Sequence, residues 1–318
     1  MITTITLNAA LDITYTLPQF AVGEVHRTAA YICVPGGKGV NAARVVHSLG
    51  EQVVTTGFAA GHQGAAFLAG LTQEQLPADF VICTQGETRR AITILDSNNQ
   101  TSTEIIEQGP LITDAELPHI CQKTEELSKK SSWVILSGSL PSGCPASLVP
   151  RLLRIARQKG AKIALDARGE ALREGLLSQP DLLRINEHEA AEMMNNTTNE
   201  QHPPDDDQLL KWIEQQMRSG IPMVIVSQGA KGALAGCQGQ LYRMTFPQVE
   251  AVNPVGSGDA MMAGLVVGMV QGRGDIETLK LGTSCGLVNA LHTMAGYILP
   301  EQVTEWKDQI EVIPLSSL

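Results

Sequence analysis

Short, continuous apolar runs recur along the chain, and most are followed by a stretch of helical periodicity. The runs at 2–7, 53–58, 133–136, 162–165, 182–185 and 223–226 predict strands. Periods near 3.6 predict helices over 40–49, 64–75, 116–129, 147–158, 187–194, 208–219, 259–270 and 276–294. Gly50 stands where a helix ends in a left-handed residue. The strand runs do not alternate polar with apolar, so both sheet faces should be covered. Strands of that kind interleaved with helices predict an α/β protein with a mostly parallel sheet between helix layers. Two stretches break the rhythm. Residues 24–34, and 89–95 with 102–106, are β-rich and partly alternating, and predict a small antiparallel subdomain inserted in the core. The hydrophilic run 195–207 predicts an exposed loop.

Composition narrows the function classes. The 318 residues are 43% hydrophobic and 18% charged, which is globular and excludes collagen, coiled coil and wholesale disorder. With 23 Lys+Arg against 33 Asp+Glu the net charge is −10, the wrong sign for a nonspecific nucleic-acid binder. Aromatics at 4% are thin for base stacking, so no nucleic-acid partner is expected. An anionic small molecule then requires basic groups gathered locally. The six cysteines show no C-x-x-C spacing and read as reduced thiols of a cytoplasmic protein. The N-terminal residues lack the basic start and cleavage site of a leader, and no apolar run approaches the roughly 20 residues of a membrane span.

Candidate chemistry gathers in glycine-bearing segments at strand ends, where open α/β sheets bind ligands. In Asn253-Pro-Val-Gly256-Ser257-Gly258-Asp259 the glycines free backbone N–H groups for an anion at a helix start. Asp259, in the first turn, is placed to take a proton from a hydroxyl; an N-capping turn is the competing reading. Pro35-Gly-Gly37-Lys38-Gly-Val-Asn41 opens a second helix, with Lys38 as a point charge and Asn41 as donor and acceptor for hydroxyls. Asp12 follows the first strand, where it can grip vicinal hydroxyls, and Arg89 suits bidentate phosphate recognition. Ser137-Gly138-Ser-Leu-Pro leaves room for a ligand. Asn186 and Glu189 share a helix face or cap, and suit an ion held through water or a capping box. Ser227-Gln-Gly229-Ala-Lys-Gly232 is either a nucleotide loop or a turn between strands. There is no G-x-x-x-x-G-K-[ST] motif and no G-x-G-x-x-G spacing at these sites, which excludes a Walker-type NTPase and disfavours a dinucleotide oxidoreductase. Together the segments supply a base, an anion hole, a metal contact, a nucleotide loop and a sugar grip, the parts of a phosphoryl transfer.

In that order, these segments resemble the PfkB (ribokinase-like) carbohydrate kinases over nearly the whole chain. The chain is most similar to the branch holding 1-phosphofructokinase and tagatose-6-phosphate kinase. The resemblance implies a three-layer α/β/α ribokinase-like fold, one domain over 1–318, with β-sheet lid segments at about 13–34 and 88–107 that form a homodimer contact. It implies ATP and Mg²⁺ as cofactors and a ketohexose monophosphate, tagatose 6-phosphate or fructose 1-phosphate, as substrate. Asp259 matches the catalytic base, and Gly256, Ser257 and Gly258 the anion hole. Asp12, Gly37, Lys38, Asn41, Arg89, Ser137 and Gly138 match sugar-phosphate positions, with Lys38 and Arg89 as candidates for the phosphate already on the substrate. Asn186, Ser227, Gly229, Gly232 and Gly258 match the ATP site, and Glu189 the Mg²⁺ contact, through water. A kinase of an unphosphorylated sugar or nucleoside, and a non-catalytic sugar-phosphate-binding regulator, are the other readings. Four positions depart from the family pattern: Ala9, Arg168, Ala260 and Arg184 of Arg184-Ile185-Asn186. Arg168 stands where related chains often carry Ser or Thr.

Overall fold

The computed structural model describes residues 1–194 and 204–315. Its main sheet has ten strands in the order β14-β13-β12-β11-β10-β9-β8-β1-β4-β5. The parallel part comprises β5 (Val81–Cys83), β4 (Val53–Ala60), β1 (Ile2–Thr6), β8 (Trp133–Ser137), β9 (Lys162–Asp166), β10 (Leu182–Asn186) and β11 (Met223–Ser227). Three antiparallel strands, β12 (Ala233–Cys237), β13 (Gln240–Thr245) and β14 (Glu311–Leu315), complete one edge.

The continuous apolar runs have the cause inferred for them. In β8, Trp133 and Ile135 enter one core while Val134 and Leu136 enter the other. Helices α1 (Lys38–Ser48), α2 (Gly61–Gln73), α8 (Ser257–Val270), α9 (Asp275–Ala290) and α10 (Pro300–Lys307) contribute to the first core. Helices α3 (Leu117–Ser128), α4 (Leu148–Gln158), α5 (Gly169–Leu176), α6 (Glu187–Met194) and α7 (Asp206–Arg218) contribute to the second. The result is the three-layer α/β/α arrangement.

The smaller sheet runs β3-β2-β6-β7, built from β2 (Ala10–Leu17), β3 (Tyr31–Gly36), β6 (Arg89–Asp96) and β7 (Thr101–Ile106). The expected pairing of β6 with β7 is present, and β3 pairs antiparallel with β2, a strand the sequence reading did not predict. The seam between them, β2 against β6, is parallel, because the main sheet delivers both strands outward from the same edge. Residues 24–28, expected to be β-rich, form no strand. Of the 195–207 loop, 195–203 lie outside the described residues. Asp205 closes a capping box with Gln208, and α7 starts at Asp206.

Two elements differ from the sequence expectation for local reasons. The strand β12 reads Ala-Leu-Ala-Gly-Cys, with weak strand propensity. The small residues are needed because α7 presses close: a Cβ at Gly236 would lie 2.6 Å from Ile213 Cγ2. Helix α9 ends at Ala290 rather than running on to 294. The chain turns back there, and Asn289 Oδ1 accepts from the Gly296 backbone at 2.7 Å.

Candidate active site

Strand register brings the chemistry to one edge. Ser137 pairs with Asp166, and Asn186 with Ser227, so β8 and β9 end together and β10 and β11 end together two residues further out. Above them sits the turn into α8. Gly256 adopts the left-handed region at φ 85°, which a side chain would strain. Two asparagines pin this turn. Asn253 Oδ1 accepts from Val255 N at 3.1 Å while its Nδ2 donates to the Thr293 carbonyl at 2.8 Å. Asn289 Nδ2 donates to the Val255 carbonyl at 2.9 Å.

Asp259 lies in the first turn of α8 and is 5% exposed. Asn41 Nδ2 donates to its Oδ2 at 2.9 Å. The orientation of the Asn41 amide is set from behind, since Arg44 Nη1 donates to Asn41 Oδ1 at 3.2 Å. Arg44 is itself locked by Glu74 and by the carbonyls of Pro35 and Ala295. Burial pushes the Asp259 carboxyl up to about 7, with the Asp166 charge adding to the rise; Lys38, Asn41 and Arg184 oppose it. A carboxyl poised there exchanges a proton readily near neutral pH.

A second buried carboxylate, Asp166, is fully covered and treated oppositely. Lys38 Nζ lies 2.6 Å from its Oδ1 and Arg184 Nη1 3.0 Å from its Oδ2. Burial works against its charge, but these two cations outweigh it and hold Asp166 below the usual carboxylate range. Lys38 Nζ is also 3.5 Å from Glu189 Oε1. Burial disfavours the Lys38 charge, yet Asp166, Glu189 and Asp259 raise its pKa overall. The Lys38 charge is thus engaged within the protein. Arg184 Nη2 donates to Ser227 Oγ at 2.6 Å. Its guanidinium lies so close to Gly258 that a Cβ there would overlap it, which explains the glycine at the start of α8.

The expected ATP positions surround one cavity of about 640 Å³. Asn186, Ser227, Gly229, Gly232, Ser257 and Gly258 line it, with Arg184 at the base. Its apolar wall includes Phe246, Val249, Met261 and Leu287. The turn residues 229–231 join antiparallel β11 and β12, which is the turn reading. Gly232 is fixed by packing, since a Cβ would run into the Met244 carbonyl.

The positions expected to meet the sugar phosphate are more scattered. The Asp12 carboxyl packs over Gly36, and burial pushes it up to about 6 against the pull of Arg44, Arg89 and the Gly37 backbone. Gly37 caps α1 at φ 97°. Gly138 has positive φ and approaches the Lys38 side chain. Ser137 Oγ is buried with no hydrogen-bond partner. Arg89 Nε donates to the Asn8 carbonyl at 3.3 Å.

Asn186 and Glu189 form a reciprocal capping box. Asn186 N donates to Glu189 Oε2 at 2.9 Å and Glu189 N to Asn186 Oδ1 at 2.8 Å. Among the described residues no group of three or more His, Cys, Asp or Glu side chains is arranged to hold a metal ion. Glu189 Oε1 retains lone pairs for an ion held through water, the manner in which Mg²⁺ with phosphates is usually bound.

Three contributors were not singled out in the sequence: Asp166, Arg44 and Asn289. Asp166 ends a predicted strand, and the strand-end rule applied one residue further finds it. Arg44 and Asn289 sit inside helices with no local signal.

An α/β protein with a glycine-started helix, a near-neutral buried carboxyl and a cavity at the carboxyl edge of its sheet belongs to the class that handles small anionic ligands there. The family model for pfkB family carbohydrate kinases matches residues 5–302, and the chain belongs to that family. It is a carbohydrate kinase. A tagatose-6-phosphate kinase of Staphylococcus epidermidis is 34% identical over 315 residues, 98% of this chain and 99% of that one. The crystal structure of phosphofructokinase-2 from Escherichia coli with fructose-6-phosphate superposes with a TM-score of 0.85 at 23% identity, over 96% and 98% of the two chains. An Arabidopsis thaliana ribokinase bound to ribose and ATP shares the fold at a TM-score of 0.73 and 19% identity, over 96% and 98%. Among the described residues no helix is long and apolar enough to cross a membrane.

Proposed function

We propose that this kinase transfers the γ-phosphate of ATP to the free hydroxyl of a ketohexose monophosphate, tagatose 6-phosphate or fructose 1-phosphate, in the cytoplasm. The observation that carries the reading is Asp259: a buried carboxyl near neutral pKa, aimed by Asn41, beside a glycine turn at a helix start. The substrate hydroxyl oxygen attacks the γ-phosphorus in line. The bond from that phosphorus to the bridging oxygen breaks, and ADP departs. Asp259 accepts the hydroxyl proton. The backbone N–H groups at residues 256–258 and the helix start meet the charge spread over the transferring group. Arg184, next to Gly258, adds a fixed positive charge from the nucleotide side. Glu189 and Asn186 would hold a Mg²⁺ ion through water, and the ion would supply neutralisation of phosphate charge. Asp12 grips sugar hydroxyls. The small sheet closes over the sugar and excludes water, which limits ATP hydrolysis. Its exposed Tyr31, Ile105 and Ile106 suit a homodimer contact.

The test is ADP release with Mg-ATP across fructose 1-phosphate, fructose 6-phosphate, tagatose 6-phosphate, fructose and ribose. We expect dominant kcat/KM on one phosphorylated ketohexose. Activity confined to neutral sugars would move the protein to the ribokinase-like reading, and ATP binding without turnover on any sugar to a binding role.

A further inference from the structure

Two guanidiniums on the sugar side carry charge that the protein does not use. Arg89 begins β6 opposite Ala10 and makes one side-chain hydrogen bond among the described residues, to the Asn8 carbonyl. Arg168 lies two residues beyond the end of β9, exposed, and its side chain forms no hydrogen bond or ion pair among the described residues. Every other arginine discussed above is paired: Arg44 with Glu74, Arg184 with Asp166.

The two are tied to one place through Asn8. Its carbonyl holds Arg89, and its Nδ2 donates to Ser139 Oγ at 3.1 Å. Ser139 and Arg168 line the same open recess, together with Leu140 and Gly169; Glu170 and Glu192 line it too, and neither pairs with Arg168. Burial pushes the Arg89 pKa down, and the Arg168 charge pushes it the same way after the opposing pull of Asp12. Two like charges held within each other's field and left unpaired are a standing cost. A dianion between them removes it. Ser137 Oγ, buried and without a partner among the described residues, ends β8 and can donate to such an anion.

We propose that Arg168 is a specificity-determining residue, which together with Arg89 and the Asn8–Ser139 contact grips the phosphate monoester already present on the sugar. The inference rests on the phosphosugar reading above and sharpens it. Lys38, the other cation that the family resemblance offers for that phosphate, is engaged by Asp166 and Glu189. The phosphate clamp is therefore arginine on arginine, suited to forked contact with phosphate oxygens.

The experiment measures kcat and KM of the whole enzyme, Arg168→Ser and Arg168→Lys on the preferred sugar phosphate and on its unphosphorylated parent, with inorganic phosphate as a competing probe. Arg168 makes no side-chain contact that folding requires, and matching thermal melts check this. We expect Arg168→Ser to lower the phosphorylated-to-free preference about thirtyfold, carried by KM for the sugar phosphate and not by KM for ATP. Inhibition by inorganic phosphate should weaken in parallel, and Arg168→Lys should recover part of both. If the wild type prefers a phosphorylated sugar and Arg168→Ser keeps that preference, the clamp is wrong and the kinase reading stands. If the wild type prefers the free sugar, both fall.

Discussion

The two sides of Asp259 handle charge in opposite ways. On the nucleotide side, Arg184 is paired with Asp166 and Ser227, and the cavity beyond is walled by Phe246, Val249 and Leu287. On the proposed sugar side, neither Arg89 nor Arg168 forms an ion pair among the described residues, and the half-buried Asp12 has a raised pKa. An internal pair fixes geometry, because each partner restrains the other. An unpaired group costs stability until a ligand meets it, and so reports what the ligand must bring. On the proposed function, the nucleotide side is thus preorganised, and the sugar side selects.

Removing the centre that both sides serve should have the largest effect. Asp259→Asn keeps the size and can still receive the Asn41 donor. It should lower kcat roughly 10³-fold while nucleotide binding persists. Near wild-type turnover in a normally folded variant would remove Asp259 as the base. The same variant has a stability signature. The folded pKa of about 7 lies above the ordinary 3.8, so the stability tied to the protonated carboxyl is present below 3.8 and lost as pH rises through 7. Asp259→Asn escapes that loss. It should melt higher than wild type at pH 8, with the gap closing towards pH 4. Equal melts at pH 8 would show that burial of the ionised carboxylate is not costly.

The pH dependence of the intact enzyme is the next measure. If Asp259 is the base as proposed, it must be deprotonated to act, so kcat/KM should fall below pH about 7 by up to tenfold per unit. Asp166→Asn removes a like charge that raises Asp259 and frees Lys38 and Arg184 from their shared partner. The acid limb should then move to lower pH. Turnover should drop roughly tenfold to a hundredfold through misplacement of Lys38 and Arg184. An unmoved limb would mean that the two carboxylates do not sense each other.

Why Asp166 escapes a reading of the sequence, while Asp259 does not, is a matter of range. Asp259 follows Gly256 and Gly258, and glycines at a helix start are a local signal. The same holds for Gly37 before Lys38. The role of Asp166 comes from Lys38 and Arg184, one of them on a distant helix and the other on the next strand. Arg44 matters because it turns the Asn41 amide, and Asn289 because it holds the Val255 carbonyl. Neither pairing leaves a mark in composition or spacing. The parallel seam of β2 and β6 is hidden likewise, since the β6–β7 hairpin is legible alone, β2 is not, and only the main sheet decides how they meet. In contrast, the double burial of β8 is written directly in Trp-Val-Ile-Leu.

The smallest expected effect tests the contrast within one strand. Arg89 and Arg90 are neighbours in β6, and strand geometry sends their side chains to opposite faces. Arg89 reaches the Asn8 carbonyl at the site. Arg90 turns away and pairs with Glu107 at 2.5 Å on the exposed face of the small sheet. If an unpaired charge marks selection and a paired one marks structure, adjacent arginines of equal charge should behave differently. Arg89→Ala should raise KM for the sugar phosphate about tenfold or more. Arg90→Ala should leave KM within about twofold and the melting temperature within about 2 °C, since exposed pairs contribute little. Equal increases in KM would mean that the sugar side responds to total positive charge on β6. The effect would then be long-range steering, and adding salt would abolish it in both variants. A KM effect confined to Arg89 and persisting in salt is what a direct grip on the phosphate requires.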